Sequence, residues 1–330
     1  MARASGVGDS GSCNIDAACD ASWKNRSNAV AKMIYTSGAY SYLCSGTLLN
    51  DATSSRTPYF LTANHCISSQ SVASTLNTYW FYRSSSCNSG QLSPVYQALS
   101  TGATLLYHGS DTDSSFLRLN STPPGGVTYS GWTTVAPTKT IAATGLHHPK
   151  GDLLKISYGS ITDFLNCTTP NLDGSFNCSS SVTGNYVDIR YTSGTTEGGS
   201  SGSGIFLNDS QHLFGQLYGG NSTCSNLSGS NIYGRFDRAY SVGNLGQWLN
   251  ASGTTSIIRT GSGTIRSAPE GINCGSVCAH DFTQGSKVTL VAIPQPGRRF
   301  LGWSGACTGK IAACILRVNG PLNVQANFSP

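Results

Sequence analysis

Three segments of the chain carry residue types that together could perform nucleophilic acyl transfer. In Tyr59-Phe60-Leu61-Thr62-Ala63-Asn64-His65-Cys66 an apolar run leads through a short polar turn to a histidine, the side chain best suited to taking and returning a proton near neutral pH. A lone histidine after a strand is usually structural. Here Cys66 follows directly and Cys44-Ser45-Gly46-Thr47-Leu48-Leu49 lies just upstream, so a Cys44–Cys66 bridge would pin the turn that presents His65. In Gly194-Thr195-Thr196-Glu197-Gly198-Gly199-Ser200-Ser201-Gly202-Ser203-Gly204, Gly199 and Gly202 flank Ser201 and permit a tight turn. The amides of Gly199 and Ser201 could then converge on one developing oxyanion. A Gly/Ser linker is the plain alternative, and the position between two strand-like runs speaks against it. Asp111-Thr112-Asp113-Ser114-Ser115-Phe116-Leu117-Arg118-Leu119 places acids just before an alternating strand. One of them could accept from the histidine ring and fix its tautomer, although a turn-forming Asp is the default for an isolated D-x-D. The order His, Asp, Ser does not define a triad, because unrelated folds use other orders. The three segments reinforce one another because they share one all-β chain.

The elements that must position these residues are short strands. The chain has 330 residues, of which 38% are hydrophobic and only 11% charged, against about 25% charged in a typical soluble domain. Its surface is therefore built from Ser, Thr, Asn and Gly. Disorder is excluded by the hydrophobic content and by a net charge of only +5. No apolar run approaches the roughly 20 residues of a membrane helix, and no 3.5–3.6 repeat supports a helical bundle. Strand-like runs recur at Ala29–Tyr35, Gly46–Leu49, Tyr59–Thr62, Thr78–Tyr82, Thr104–His108, Phe116–Leu119, Thr140–Thr144, Leu154–Gly159, Tyr186–Tyr191, Gly204–Leu207, His212–Leu217 and Asn231–Phe236. That spread predicts barrels or a sandwich rather than β-α-β units. One helix is expected over Val242–Leu249, ending near Asn250, and Ala251–Gly263 reads as a Gly/Ser/Thr-rich connector. The twelve cysteines include no C-x2-C pair, so they predict disulfides and an oxidising compartment rather than zinc knuckles. The N-terminus MARASGVGDSGSC lacks an apolar leader core, so either a signal has been removed or a Met added, and the protein is expected to be secreted. From Arg259 onward seven basic residues face Glu270 and Asp281, so this tail carries the whole net charge. It would suit an anionic surface or polymer, with a solvated small domain as the plain alternative.

With these residues in view, the sequence resembles the trypsin/chymotrypsin-like serine endopeptidases, and within them the bacterial lysyl endopeptidase family. The matching stretches are GSCNIDAAC (Gly11–Cys19), CSGTLLN (Cys44–Asn50), YFLTANHC (Tyr59–Cys66), DSSFLRL (Asp113–Leu119), HHP (His147–Pro149), TEGGSSGS (Thr196–Ser203), GQLYGG (Gly215–Gly220) and YGR (Tyr233–Arg235). The resemblance implies an all-β fold of two six-stranded antiparallel barrels with the site between them, followed by a small β domain. The expected domains are residues 1–254 and 255–330. Carried over by position, His65 is the general base, Asp113 rather than Asp111 its orienting acid, and Ser201 the nucleophile. Gly199 and Ser201 form the oxyanion hole, and Thr195, Tyr218, Gly219, Gly220 and Asn231 line the substrate pocket. The resemblance also implies the bridges Cys13–Cys224, Cys19–Cys87 and Cys44–Cys66, with Cys167–Cys178 paired by elimination and proximity. No metal or organic cofactor is implied.

Two departures from the family stand out. Animal trypsin-type enzymes have Asp directly before the nucleophile, where it pairs with a freshly cut N-terminus; this chain has Ser200, as the lysyl branch does, so that ionic switch cannot operate. In the lysyl branch an Asp stands two residues before Tyr-Gly-Arg, at the base of the pocket, and a His lies in the GQLHGG-like strand. Here the residues are Asn231 and Tyr218. A neutral amide cannot offset desolvation of a buried ammonium, which costs several kcal/mol. A neutral P1 residue is therefore expected, unless Glu197 or Asp237 reaches the pocket. His147 and His148, adjacent on a strand, would point to opposite faces and fit a structural turn better than a shared metal. The tail resembles a small bacterial extracellular β-repeat through Gly271–Gly275, Cys278, Val288–Leu290, Phe300–Cys307, Cys314 and Val324–Phe328. Bridges Cys274–Cys278 and Cys307–Cys314 would staple it, with pairing across the clusters or a four-Cys zinc site as rivals, and Trp303 reads as core. The expected partners are protein or peptide substrates, with no nucleic acid and no membrane span, and the protein itself is expected to be a monomer. The competing functions are a lysyl or arginyl endopeptidase using another acid, an esterase with the same triad, and a catalytically inactive, protease-like surface-binding protein.

Overall fold

A computed structural model describes residues 2, 3, 6–52, 54–168, 175–249, 252–283, 286–318 and 322–330. Contacts divide the chain into two units, residues 1–50 with 54–245 and residues 51–53 with 246–330. The architecture is mostly β throughout.

The first unit holds two antiparallel sheets. One follows the path Gln97–Leu99, Asn77–Trp80, Val30–Ser37, Tyr40–Leu49, Tyr59–Ala63, Ser114–Leu119, Ala103–Gly109. It wraps a core that includes Met33, Tyr35, Leu48, Phe60, Trp80 and Leu117. The other closes into a six-stranded barrel: Ala142–His147, Gly204–Leu207, Leu213–Gly220, Asn231–Arg235, Tyr186–Ser193 and Lys155–Cys167, which pairs back onto Ala142–His147. Ile161, Val187, Ile189, Ile205, Phe214 and Tyr233 fill it. The strand read as Leu154–Gly159 is longer, Lys155–Cys167, because register shifts at Tyr158/Gly159 and Ile161/Asp163 break its alternation. The helix expected at Val242–Leu249 instead begins at Phe236 and runs to Val242. Gly243 caps it and Asn244 turns left-handed at φ +48, so Gly246–Leu249 forms a separate turn of helix. Asn250 lies outside the described residues.

The six disulfides are Cys13–Cys224, Cys19–Cys87, Cys44–Cys66, Cys167–Cys178, Cys274–Cys278 and Cys307–Cys314. The tail cysteines thus pair within each cluster.

The segment read as a connector is a strand, Ser252–Thr260, which passes through the 254/255 boundary; Ala251 lies outside the described residues. Its β-branched Thr255, Ile257 and Ile258 favour extension, and it pairs parallel with Leu322–Phe328 and antiparallel with Ala279–Thr283. Two four-stranded sheets result, packing Ile257, Ile265, Leu290, Trp303, Val324 and Phe328 between them. Trp303 is 5% exposed and its indole donates to Ile311 O at 2.9 Å.

His147 and His148, at the end of one barrel strand, are both fully buried and serve packing and hydrogen bonding. His147 Nδ1 lies 2.9 Å from Ser200 Oγ and Nε2 3.0 Å from Ser157 Oγ, while His148 Nδ1–H donates to Asp152 O at 2.9 Å. Burial holds both imidazoles neutral, their pKa pushed down from 6.5 to about 3.

Two outcomes follow from this packing. Trp303→Ala should cost the second unit about 3–5 kcal/mol, read as faster hydrogen exchange over residues 252–330; unchanged protection would contradict a core role. Below pH 6.5 the unfolded chain protonates both histidines while the folded chain does not until about pH 3. The stability present at neutral pH is therefore lost as pH falls, with a slope approaching about 2.7 kcal/mol per pH unit for two protons. The urea midpoint should fall between pH 6 and 5, before carboxylates titrate, and a flat midpoint there would contradict the burial argument.

Candidate active site

His65 sits in the turn after the strand Tyr59–Ala63, and the Cys44–Cys66 disulfide ties that turn to the strand Tyr40–Leu49. The ladder between Tyr59–Ala63 and Ser114–Leu119 pairs Ala63 with Ser114, which brings Asp113 beside the turn. The imidazole Nδ1–H donates to Asp113 Oδ2 at 2.7 Å, and the His65 main-chain N–H donates to Oδ1 at 2.9 Å. Asn64 N adds a 2.8 Å bond to Asp113 O. With Nδ1 engaged as a donor, Nε2 is left as the acceptor, the arrangement a general base requires. Asp113 is 2% exposed; burial pushes its carboxyl above the usual range, and the His65 contacts pull it back. It also adopts a left-handed φ of +50, and Gln216 Nε2 braces it by donating to Thr112 O (2.7 Å) and Asp113 O (3.2 Å). Asp111 is exposed on the preceding turn.

The Ser201 loop presses against the same strand. A Cβ on Gly202 (φ +78) would lie 2.2 Å from Thr62 Oγ1 and 2.7 Å from Ala63 N, so only glycine lets the loop approach the strand that leads into the His65 turn. Ser201 is half-buried; its carbonyl accepts from Ser45 N at 2.8 Å, and its Oγ has no hydrogen-bond partner among the described residues. The Ser200, Gly202 and Ser203 amides donate to Glu197 O, Leu217 O and Ser200 O, whereas those of Gly199 and Ser201 have no acceptor among the described residues.

On the far side of the loop, Thr195 is buried with its Oγ1 2.7 Å from Ser222 Oγ. Asn231 is fully buried: its Oδ1 accepts from Thr196 Oγ1 at 2.6 Å and its Nδ2 donates to Ile189 O at 3.3 Å. Gly219 and Gly220 pair with Ile232 and Asn231. Tyr218 donates to Thr168 O at 2.7 Å, its ring centroid 4.1 Å from Phe176, 5.2 Å from Tyr186 and 6.1 Å from His65. Neither acid considered for the pocket is free to serve it. Glu197 accepts from Gly11 N and Asn14 Nδ2, both at 2.8 Å, and pairs with Lys150 at 3.0 Å; Asp237 is held by Arg235 at 2.6 and 3.0 Å. Cys44, His65 and Cys66 place their donor atoms within 4.8 Å of one another, but the two sulfurs are bonded to each other.

Several residues of this cluster had no role in the sequence reading. Gln216 lay within GQLYGG without an assigned task, and His147 within HHP was read only as part of a structural turn. Ser45, which binds the Ser201 loop, and Phe176, which covers Tyr218, have no local signature.

Residues 7–234 match the family described as "Lysyl endopeptidase, C-terminal domain", and residues 254–330 match the divergent InlB B-repeat domain. The lysyl endopeptidase of Pseudomonas aeruginosa is 38% identical over 232 residues, covering 66% of this chain and 47% of that relative. The chain thus spans about half of that protein's length. Among solved structures, the thermostable serine protease AL20 from an extremophilic microorganism is 17% identical with a TM-score of 0.43, covering 64% of this chain and 92% of its own. The active form of the Rv3671c protease from M. tuberculosis is 15% identical with a TM-score of 0.46, covering 70% and 86%. With the family match running through most of the chain and holding His65, Asp113, Ser201 and Asn231, this protein belongs to the lysyl endopeptidase family.

Proposed function

We propose that the chain is a secreted serine endopeptidase that works through Ser201, His65 and Asp113. The observation that carries this reading is the 2.7 Å contact between His65 Nδ1 and the buried Asp113 carboxylate, beside a serine loop with two uncommitted amides. Ser201 Oγ attacks the peptide carbonyl as His65 Nε2 takes its proton, and the Gly199 and Ser201 N–H groups receive the developing oxyanion. His65 then protonates the leaving amine as the acyl-enzyme forms. Water, deprotonated by the same ring, releases the acid. Asp113 keeps the imidazole in the productive tautomer and stabilises the imidazolium.

The relative's name points to cleavage at lysine. The buried, neutral Asn231, together with the commitment of Glu197 to Lys150 and Asp237 to Arg235, favours a neutral P1 residue instead. Tyr218 and Asn231 shape that pocket. The disulfides suit an extracellular setting, and the basic residues of the tail suit an anionic surface or polymer.

Digestion of a denatured protein mixture, with every cleavage site read by mass spectrometry, tests both parts. Ser201→Ala should lower turnover by roughly 10⁴-fold or more; equal cleavage by both forms would overturn the mechanism. Wild-type cleavage after lysine alone would keep the enzyme and overturn the neutral pocket. Asn231→Asp should raise cleavage after Lys or Arg by about tenfold or more, about 1.4 kcal/mol of added pairing. No gain would show that residue 231 does not face P1.

A further inference from the structure

An oxyanion site needs two main-chain N–H groups aimed together, and Gly199, at φ +97, sits in a loop where a peptide flip could turn one away. In a trans peptide the C=O of one residue and the N–H of the next share a plane and point in opposite directions. Anchoring a carbonyl therefore fixes the amide beyond it. Four consecutive peptide units of this loop are anchored in that way. Gly198 O accepts from Lys150 N at 2.6 Å, which turns Gly199 N–H away from the 147–151 segment. Gly199 O accepts from Ser45 Oγ at 3.0 Å, and Ser200 N–H points back to Glu197 O at 2.9 Å. Ser200 O accepts from Ser203 N at 3.0 Å, which orients Ser201 N–H. Ser201 O accepts from Ser45 N at 2.8 Å, with Gly202 N–H on Leu217 O. The two amides left over are Gly199 and Ser201.

Two side chains hold this arrangement, and their hydrogen bonds run in a forced direction. Ser45 Oγ accepts from His148 N at 3.0 Å, so its own hydrogen is committed to Gly199 O. Ser200 Oγ accepts from Glu197 N at 3.2 Å, so its hydrogen goes to His147 Nδ1. His147 Nε2–H then donates to Ser157 Oγ, whose hydroxyl reaches Thr195 O at 3.5 Å. The chain of bonds starts at Glu197 and returns to Thr195, clasping the segment between the pocket wall and the nucleophile. Only the neutral imidazole completes it, since an imidazolium would meet Ser200 with a second N–H.

We propose that Ser45 and His147 are positioning residues that hold the Gly198–Ser201 peptide planes in the oxyanion-binding orientation, using neutral hydrogen bonds in the place where Ser200 removes the ionic restraint. This inference rests on the reading of Ser201 as nucleophile.

Steady-state kinetics of the full chain, normalised by active-site titration, tests it. Ser45→Ala and His147→Ala should each lower kcat about 10- to 100-fold, less than the loss of a whole oxyanion donor, with KM within about threefold. Affinity for a peptidyl boronic acid, which forms the tetrahedral adduct, should fall in step with kcat, while affinity for the matching peptide amide stays. Ser45→Thr restores the hydroxyl and His147→Asn restores an acceptor near the Nδ1 position, and both should return kcat to within about fivefold of wild type. If His147→Ala does not fold, the Ser45 pair carries the test. Unchanged kcat per titrated site, equal losses for boronic acid and amide, or failure of the conservative variants to rescue would overturn the inference. An active wild type with an inactive Ser201→Ala and an unaffected Ser45→Ala overturns it alone; a wild type that never acylates overturns the nucleophile reading with it.

Discussion

Ser45 is wholly buried, and its main-chain and side-chain polar groups are used where the first sheet meets the closed barrel. Its amide and hydroxyl go to the Ser201 loop, its oxygen receives the His148 amide, and its carbonyl receives the Thr62 hydroxyl next to the His65 turn. Removing that side chain would leave a buried carbonyl and a buried amide unsatisfied, each worth about 1–3 kcal/mol. The approach of the His65 turn on one sheet to the Ser201 loop on the closed barrel is thus braced by Ser45. The glycine at 202 is the complementary requirement, since any side chain there would push the loop off the same strand.

The site is held mainly by neutral groups. With 11% of residues charged, the protein relies on hydroxyls, amides and uncharged imidazoles where other proteins of its type use an ion pair. Neutral partners avoid the desolvation penalty that burying an ion carries, several kcal/mol each after relaxation. They also impose direction, because a hydroxyl that accepts from one side must donate on the other. Asp113 is the buried acid of the site, and it is matched by the imidazole N–H that it accepts from His65. The largely buried acids Glu197 and Asp237 stabilise the scaffold instead, one by tethering the 11–14 segment and Lys150, the other by holding Arg235.

Much of this was legible before any coordinates. Alternating β-branched and aromatic runs bounded by Gly, Ser, Asn and Asp identify most of the strands, because side-chain alternation and turn chemistry act over a few neighbouring residues. The same locality explains the errors. Bulges hid the second half of Lys155–Cys167, a left-handed Asn244 split the helix, and a Ser/Thr-rich segment with isoleucines at 257 and 258 read as a connector although it forms the centre of a sheet. The residue types of His65, Ser201 and an acid near 111–113 named the chemistry. The match of the DSSFLRL stretch pointed to Asp113 rather than Asp111, and the pairing of Ala63 with Ser114 sets Asp113 beside the His65 turn.

Residue types and local spacing decided what kind of chemistry this chain can attempt and which short segments carry it, since a nucleophile, a base and a flexible glycine turn are properties of a few adjacent residues. The fold alone decided that Glu197 and Asp237 are committed away from Asn231, and that Ser45 and His147 grip the Ser201 loop. The contacts of Ser45 and His147 with that loop join residues 154 and 53 positions apart. Hydrogen bonds of that kind depend on which distant strands pair and on how the barrel closes, whereas alternation and turn chemistry report only a few adjacent residues.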